Sequence, residues 1–316
     1  MTAAAFGVGI VVGLTGMGGG ALMTPVLVFF FGVPPLTAVS SDLVAAAVMK
    51  PVGSYVHLRR GTVNLSLVKW LCVGSVPAAF GGVLIVKTLG SGEHVQGVIK
   101  TALGIALLVA AGALTAKAYL KLVERARRRG GEAAIAPAGV PGLGSLQVRV
   151  LPTVLIGAVG GVVVGLTSVG SGSLIIVALL LLYPTLKAGQ LVGTDLVQAV
   201  PLVASAALAH LLFGDFELAV TASILIGSIP GVYIGARWSA TAPGGLIRRA
   251  LALVLLASAL KLLGISNEAT ALVLLGVVLV APPLWMLTRM KHGHPPLASR
   301  RRSQPAAVEA VESVPS

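Results

Sequence analysis

The chain has 316 residues, 56% of them hydrophobic and only 10% charged, with a mean hydropathy of +0.98 and a net charge of +13. Soluble domains devote about a quarter of their residues to charge, so a chain this poor in charge cannot cover a water-facing surface, and its outer surface is expected to be lipid. The lone cysteine, Cys72, excludes an internal disulfide framework and a cysteine metal site.

Apolar segments run over 3–32, 38–58, 65–86, 95–120, 150–183, 189–213, 218–236, 246–265 and 269–288. A helix crosses a bilayer in about 20 residues, so seven of these predict one crossing each. The first and fifth are too long, and each is interrupted by glycine, over Gly13–Gly20 and Gly165–Gly172. Glycine costs a helix about 1 kcal/mol relative to alanine, so each long segment is expected to divide into two short helices. Met1-Thr2-Ala3 has no charged region ahead of an apolar run and does not read as a cleaved signal peptide.

The two interruptions belong to a longer repeat. Gly13, Leu14, Thr15, Gly18 and Gly20 recur 152 residues later as Gly165, Leu166, Thr167, Gly170 and Gly172. Asp42-Leu43-Val44, His57, Gly61, Gly74-Ser75 and Pro77 recur at an offset of 153, as Asp195-Leu196-Val197, His210, Gly214, Gly227-Ser228 and Pro230. Matched Asp and His positions at one offset predict a duplication, a common plan of secondary transporters. The expected organisation is a first transmembrane repeat over 1–122, a basic, flexible cytoplasmic linker over 123–148, a second repeat over 149–265, an extra helix over 266–290, and a disordered cytoplasmic tail over 291–316.

Loops facing the cytoplasm are enriched in Lys and Arg. Basic clusters lie at Arg59-Arg60, Arg125–Arg129, Arg237–Arg249 and from Arg289 into the tail, whereas the loop after residue 213 carries Asp215 and Glu217. If each long segment crosses once, the halves are parallel and these clusters fall on both sides. If each is a re-entrant hairpin, the halves are inverted, all four clusters lie inside and the acidic loop lies outside. The inverted arrangement is preferred, with the C-terminus cytoplasmic. The basic runs then contact lipid headgroups rather than nucleic acid, and His292 and His294 in the tail do not suggest a metal site.

Irregular backbone at membrane depth survives only where it is buried or lines a wet cavity. Helix N-termini and closely approaching glycine backbone favour anions. Thr15, Gly16, Gly18, Gly19, Gly20, Thr167, Ser168, Gly170, Ser171 and Gly172 are therefore expected to offer amide and hydroxyl donors to a small anion where the two breaks meet near the midplane; close helix packing is the alternative. Lys50 stands mid-segment, and an intramembrane charge marks a pathway or a pair; Asp42 and Asp195 are its possible partners. Those aspartates could cap their helices or couple anion binding to protons. His57 and His210 could hydrogen bond at an interface or relay protons. No metal, cofactor or enzyme constellation is expected: the sequence has no HExxH, P-loop or Gly-x-Ser-x-Gly elbow.

Gly13-Leu14-Thr15-Gly16-Met17-Gly18-Gly19-Gly20, Ser41-Asp42-Leu43 and His57-Leu58-Arg59-Arg60-Gly61-Thr62-Val63, with their copies at 165–172, 194–196 and 227–230, resemble the signature of the TauE/SafE family of sulfite and organosulfur-anion exporters. The resemblance covers about residues 5–265. It implies a multi-pass inner-membrane transporter exporting sulfite, sulfoacetate or a related anion, with coupling to protons expected from the residues; an anion channel, and a membrane-embedded enzyme or assembly factor, are the alternatives. Ser171 and Ser173 stand where a fuller glycine run is usual in the second motif, which bears on the shape and polarity of half the site.

Overall fold

The computed structural model describes residues 1–15, 19–59, 61, 63–88, 92–129, 147–184, 186, 188–214, 216–238 and 244–291. Eleven helices and no β-strand occur among them: α1 (Thr2–Thr15), α2 (Gly20–Phe31), α3 (Pro35–Arg59), α4 (Leu65–Thr88), α5 (Glu93–Arg129), α6 (Val150–Thr167), α7 (Leu174–Leu182), α8 (Ala188–Phe213), α9 (Leu218–Trp238), α10 (Gly244–Leu262) and α11 (Asn267–Lys291). Of the linker expected over 123–148, residues 123–129 continue α5 as helix and 130–146 lie outside the described residues; of the tail expected over 291–316, Lys291 ends α11 and the rest lies outside them.

Among the described residues six helices are both long and apolar enough to cross a membrane: α4, α5, α6, α8, α9 and α11. This set differs from the seven single crossings expected. It gains α6, whose uninterrupted part alone spans Val150–Thr167. It loses α3, which carries Asp42 and Lys50 internally, and α10, which carries Arg248, Arg249 and Lys261. Both long segments do end one helix and start another around their glycine-rich stretch. α1 stops at Thr15 and α2 starts at Gly20; α6 stops at Thr167 and α7 starts at Leu174. Ser168 closes α6 in a left-handed conformation (φ 58°), its N–H donating to the Val164 carbonyl. Gly170 (φ 132°) and Gly172 (φ 95°) then hold backbone angles that residues with a Cβ rarely adopt.

Glycine also sets how the helices pack. A Cβ at Gly227, Gly231 or Gly235 of α9 would strike the carbonyl oxygen of Thr2, Phe6 or Ile10 of α1 at 2.2–2.3 Å. A Cβ at Gly157, Gly161 or Gly165 of α6 would strike that of Leu71, Ser75 or Ala79 of α4 at 2.4–2.5 Å. These are backbone-to-backbone approaches of the small-residue kind used inside membranes. The contacts correspond residue by residue. Gly9 meets Ser228 as Gly161 meets Ser75, Gly13 meets Val232 as Gly165 meets Ala79, and Gly74 meets Val154 as Gly227 meets Thr2. Each pair is related to its counterpart by the sequence offsets of 152 and 153.

The same contacts fix helix directions. Along α1 and α9 residue numbers rise together, as they do along α6 and α4. Cys72 and Val76 of α4 meet Gln198 and Ser205 of α8, so α4 and α8 are parallel. Ser41 and Met49 of α3 meet Thr221 and Ser228 of α9, also parallel. Between α3 and α8 the order reverses: Ser54 Oγ donates to the Leu196 carbonyl at 2.7 Å, and Ser40 Oγ and His210 Nδ1 are 2.8 Å apart. Hence α1, α3 and α9 run one way and α4, α6 and α8 the other, and the chain turns back between α1 and α3 and between α6 and α8. α5 packs on α10, where Gly104 abuts Ala259 and Leu263, and α11 packs on the outside of α10 with Leu272, Leu275 and Leu279 exposed.

Candidate functional site

α3 and α8 cross antiparallel in the interior, and polar side chains collect along that crossing. Ser40, Ser41, Asp42, Thr194, Asp195, Gln198 and His210 are all buried, Asp42 at 3% and Asp195 at 1% exposure. Buried acids survive only when paired or hydrogen bonded, and Asp42 meets that condition. Its Oδ2 accepts from Ser168 Oγ at 2.5 Å and from Thr24 Oγ1 at 3.4 Å. The carboxylate therefore joins α3 to the break after α6 and to α2.

Lys50 is half-buried, two helical turns (about 12 Å) along α3 from Asp42. Its ammonium donates to Ser171 Oγ at 2.5 Å, inside the second glycine break. Asp195 and Asp42 also attract its charge. Lys50, Ser171, Gly172 and Asp195 line a cavity of ≈ 10 Å³, walled on its apolar side by Ile176, Val192, Leu196 and Ala199. That is space for about one water. A small oxyanion is larger, so it can occupy this point only if α7 and α8 move apart from Lys50.

The two breaks touch. A Cβ at Gly20 would lie 2.1 Å from the Ser168 carbonyl oxygen, so the start of α2 rests directly on the turn after α6. The first turn of α7 folds onto one atom, the Gly170 carbonyl, which accepts from the N–H groups of Ser173, Leu174 and Ile175. Gly19 and Gly20 lie at the start of α2, and Gly16 and Gly18 fall outside the described residues. The two threonines, expected as donors to the anion, here meet carbonyls of their own helices. Thr15 Oγ1 donates to the Val11 carbonyl at 2.8 Å and Thr167 Oγ1 to the Val163 carbonyl at 2.6 Å. Thr167 Oγ1 also lies 3.2 Å from the Val169 carbonyl, beyond the end of α6.

His210 is buried with both ring nitrogens engaged, Nδ1 with Ser40 Oγ at 2.8 Å and Nε2 with the Gly165 carbonyl at 2.8 Å. A carbonyl only accepts, so Nε2 carries the hydrogen and Nδ1 accepts from Ser40. The ring fastens the last turn of α6 to α3, two residues before Asp42. His57 is half-buried near the end of α3. Among the described residues no three His, Cys, Asp or Glu side chains gather as a metal group.

Thr24 and Gln198 are two members of this network that the sequence reading did not single out. Gln198 Nε2 donates to Ser75 Oγ at 2.7 Å, while its buried Oε1 has no partner among the described residues. Both are polar residues inside otherwise apolar helices, and that signal alone could have drawn attention to them.

Comparison with known proteins bears on this arrangement directly. Residues 1–262 match the family described as "Sulfite exporter TauE/SafE". The chain belongs to the TauE/SafE family. It is 38% identical over 257 residues, 81% of this chain and 96% of the relative, to the "Probable membrane transporter protein YjnA" of Bacillus subtilis (strain 168). A second relative from that organism, the "Probable membrane transporter protein YdhB", is 23% identical over 252 residues, 78% of this chain and 92% of its own length. A third, the "Probable membrane transporter protein YunE", is 40% identical over 84 residues, 26% of this chain and 29% of its own length. No solved structure matches. The TauE/SafE match ends at Leu262, the last residue of α10, and so covers every residue of the α3–α8 network. With its apolar helices, family membership makes the chain a multi-pass membrane protein of a transporter family.

Proposed function

We propose that the chain is a secondary transporter that exports a small sulfur oxyanion, sulfite or a close relative such as sulfoacetate, across the inner membrane by alternating access. Lys50 carries this reading: an intramembrane ammonium donates to Ser171 in a glycine break and shares its cavity with Asp195. The anion takes the place of Ser171 Oγ on Lys50. It also receives the hydroxyl and amide donors of Ser171 and Gly172 and of Gly19 and Gly20.

The halves are inverted repeats. The matched contacts at offsets 152 and 153 support this, as does the antiparallel crossing of the equivalent helices α3 and α8, since a two-fold that reverses a spanning helix lies in the membrane plane. In that arrangement the broken segments are hairpins, and the clusters at Arg59-Arg60, Arg125–Arg129, Arg237–Arg249 and the C-terminal tail share the cytoplasmic side. The closed ≈ 10 Å³ cavity favours alternating access over a channel, which needs a continuous wet path.

Proton coupling follows from charge. Lys50 with two ionised aspartates sums to one negative charge, which repels an anion; protonating Asp42 or Asp195 removes that repulsion, so the anion and a proton bind together. Sulfite leaving as a dianion with one proton carries net negative charge outward, and an inside-negative potential drives it by about 2.3 kcal/mol per charge per 100 mV. His210 then positions α6 rather than carrying the proton. Radiolabelled sulfite flux in proteoliposomes tests the reading; flux that never saturates with sulfite would favour the channel.

A further inference from the structure

A second cavity lies away from the α3–α8 network. It is a groove of ≈ 560 Å³ between α1 and α9, lined by Phe6, Ile10, Tyr233, Ile234, Arg237 and Trp238. Its floor is apolar. Its mouth, in the last turn of α9, carries the Arg237 guanidinium 5.6 Å from the Tyr233 ring centre, with Trp238 beside it. Arg237 is exposed, and among the described residues no carboxylate pairs with it.

The offsets of 152 and 153 give this groove a counterpart on the opposite face, between α6 and α4. There Ala158, Val162, Phe80, Gly81, Leu84 and Ile85 replace the six lining residues, and none is charged. Phe80 packs edge-on against Phe213, and Lys87 lies over that same Phe213 ring at 4.1 Å. One packing arrangement thus occurs twice, and each copy has one basic residue in the last turn of its helix, but Lys87 lies over Phe213 while Arg237 itself lines the groove.

We propose that the α1–α9 groove binds a single anionic phospholipid, its phosphate on Arg237 and its glycerol and acyl chains along Phe6, Ile10 and Ile234. Arg presents a planar fork of donors that matches phosphate, and Trp and Tyr sit preferentially at headgroup depth. Lining and charge both fit: an apolar floor ends at one exposed cation beside two aromatic rings. The bound lipid braces α1, which reaches Thr15 at the first glycine break, against α9.

Three tryptophans occur in the chain, at 70, 238 and 285, so the double substitution Trp70→Phe/Trp285→Phe leaves Trp238 as the sole reporter. The protein is reconstituted in phosphatidylcholine bilayers containing small fractions of brominated phosphatidylglycerol or brominated phosphatidylcholine, and Trp238 fluorescence is followed. Phosphatidylglycerol is expected to reach half-maximal quenching at a mole fraction about five-fold lower than phosphatidylcholine, the factor for one interfacial cation. Arg237→Gln is expected to abolish that preference, Arg237→Lys to retain part of it, and Leu84→Ala on the opposite face to leave it intact. Equal quenching by the two lipids, in the protein before any change at 237, overturns the proposal whatever the variants do. Reversal of quenching by soluble glycerol phosphate assigns the groove to a free phosphate ligand and overturns the lipid assignment.

Discussion

Replacing Lys50 by alanine separates what the lysine does for the fold from what it does for the anion. In the folded protein its ammonium donates to Ser171 Oγ at 2.5 Å and compensates Asp195, which is 1% exposed. Removing Lys50 takes away that charge-assisted hydrogen bond, about 1.5–3 kcal/mol, and leaves the buried Asp195 carboxylate without the lysine's charge, so Lys50→Ala is expected to lower the melting temperature. A charge-assisted hydrogen bond to a bound anion contributes about 1.5–3 kcal/mol, which corresponds to a loss of roughly ten- to hundred-fold in anion affinity. The double variant Lys50→Ala/Asp195→Asn removes the stranded charge as well. It is expected to recover most of the stability and none of the affinity. Melting in detergent and concentration-dependent sulfite flux in proteoliposomes measure the two effects on the same preparations. If the double variant is stable and binds sulfite within two-fold of the unaltered protein, Lys50 is a structural charge and the site is elsewhere.

Gly20→Ala forces a Cβ to within 2.1 Å of the Ser168 carbonyl and is expected to cost about 1–3 kcal/mol and to stop flux. Gly7→Ala in α1, where a Cβ meets nothing within 4 Å, serves as the control and is expected to be neutral or stabilising by up to about 1 kcal/mol; equal flux in both variants refutes the contact between breaks. His210→Ala strands Ser40 and the Gly165 carbonyl, at about 1–3 kcal/mol for each buried group. It is expected to leave the proton-to-anion ratio of surviving transport unchanged, whereas an altered ratio would return the ring to the proton path. Reporters inserted within 130–146 and within 239–243 are expected on the same side of the membrane, and opposite sides would mean that α6 and α7 cross as one.

The elements were largely legible in the sequence because glycine density at 13–20 and 165–172 is a local signal, and helix ends answer to local signals. The charge of Lys50 and the two aspartates was visible for the same reason: each is an anomaly within an apolar run. What the sequence did not expose is which helix lies against which. α1 packs on α9 and α6 on α4, contacts between residues some 80 to 230 positions apart, and hydropathy carries no information about partners. A trace was nonetheless present. Gly157, Gly161 and Gly165, and likewise Gly227, Gly231 and Gly235, recur every four residues and so line one face of their helices. Those are the faces where backbone meets backbone. The contacts of the Thr15 and Thr167 hydroxyls with carbonyls of their own helices were not legible either, because a threonine in a last helical turn can donate locally or outward.

The central claim is net movement of a sulfur oxyanion through Lys50 by alternating access. Its most direct test is efflux of radiolabelled sulfite from proteoliposomes under a potassium–valinomycin potential, with internal pH recorded simultaneously. Efflux is expected to saturate with sulfite, to accelerate when the interior is negative, to carry protons outward with the anion, and to fall at least about ten-fold in Lys50→Ala. Efflux no faster than from protein-free vesicles, or efflux indifferent to both the potential and Lys50, would contradict it.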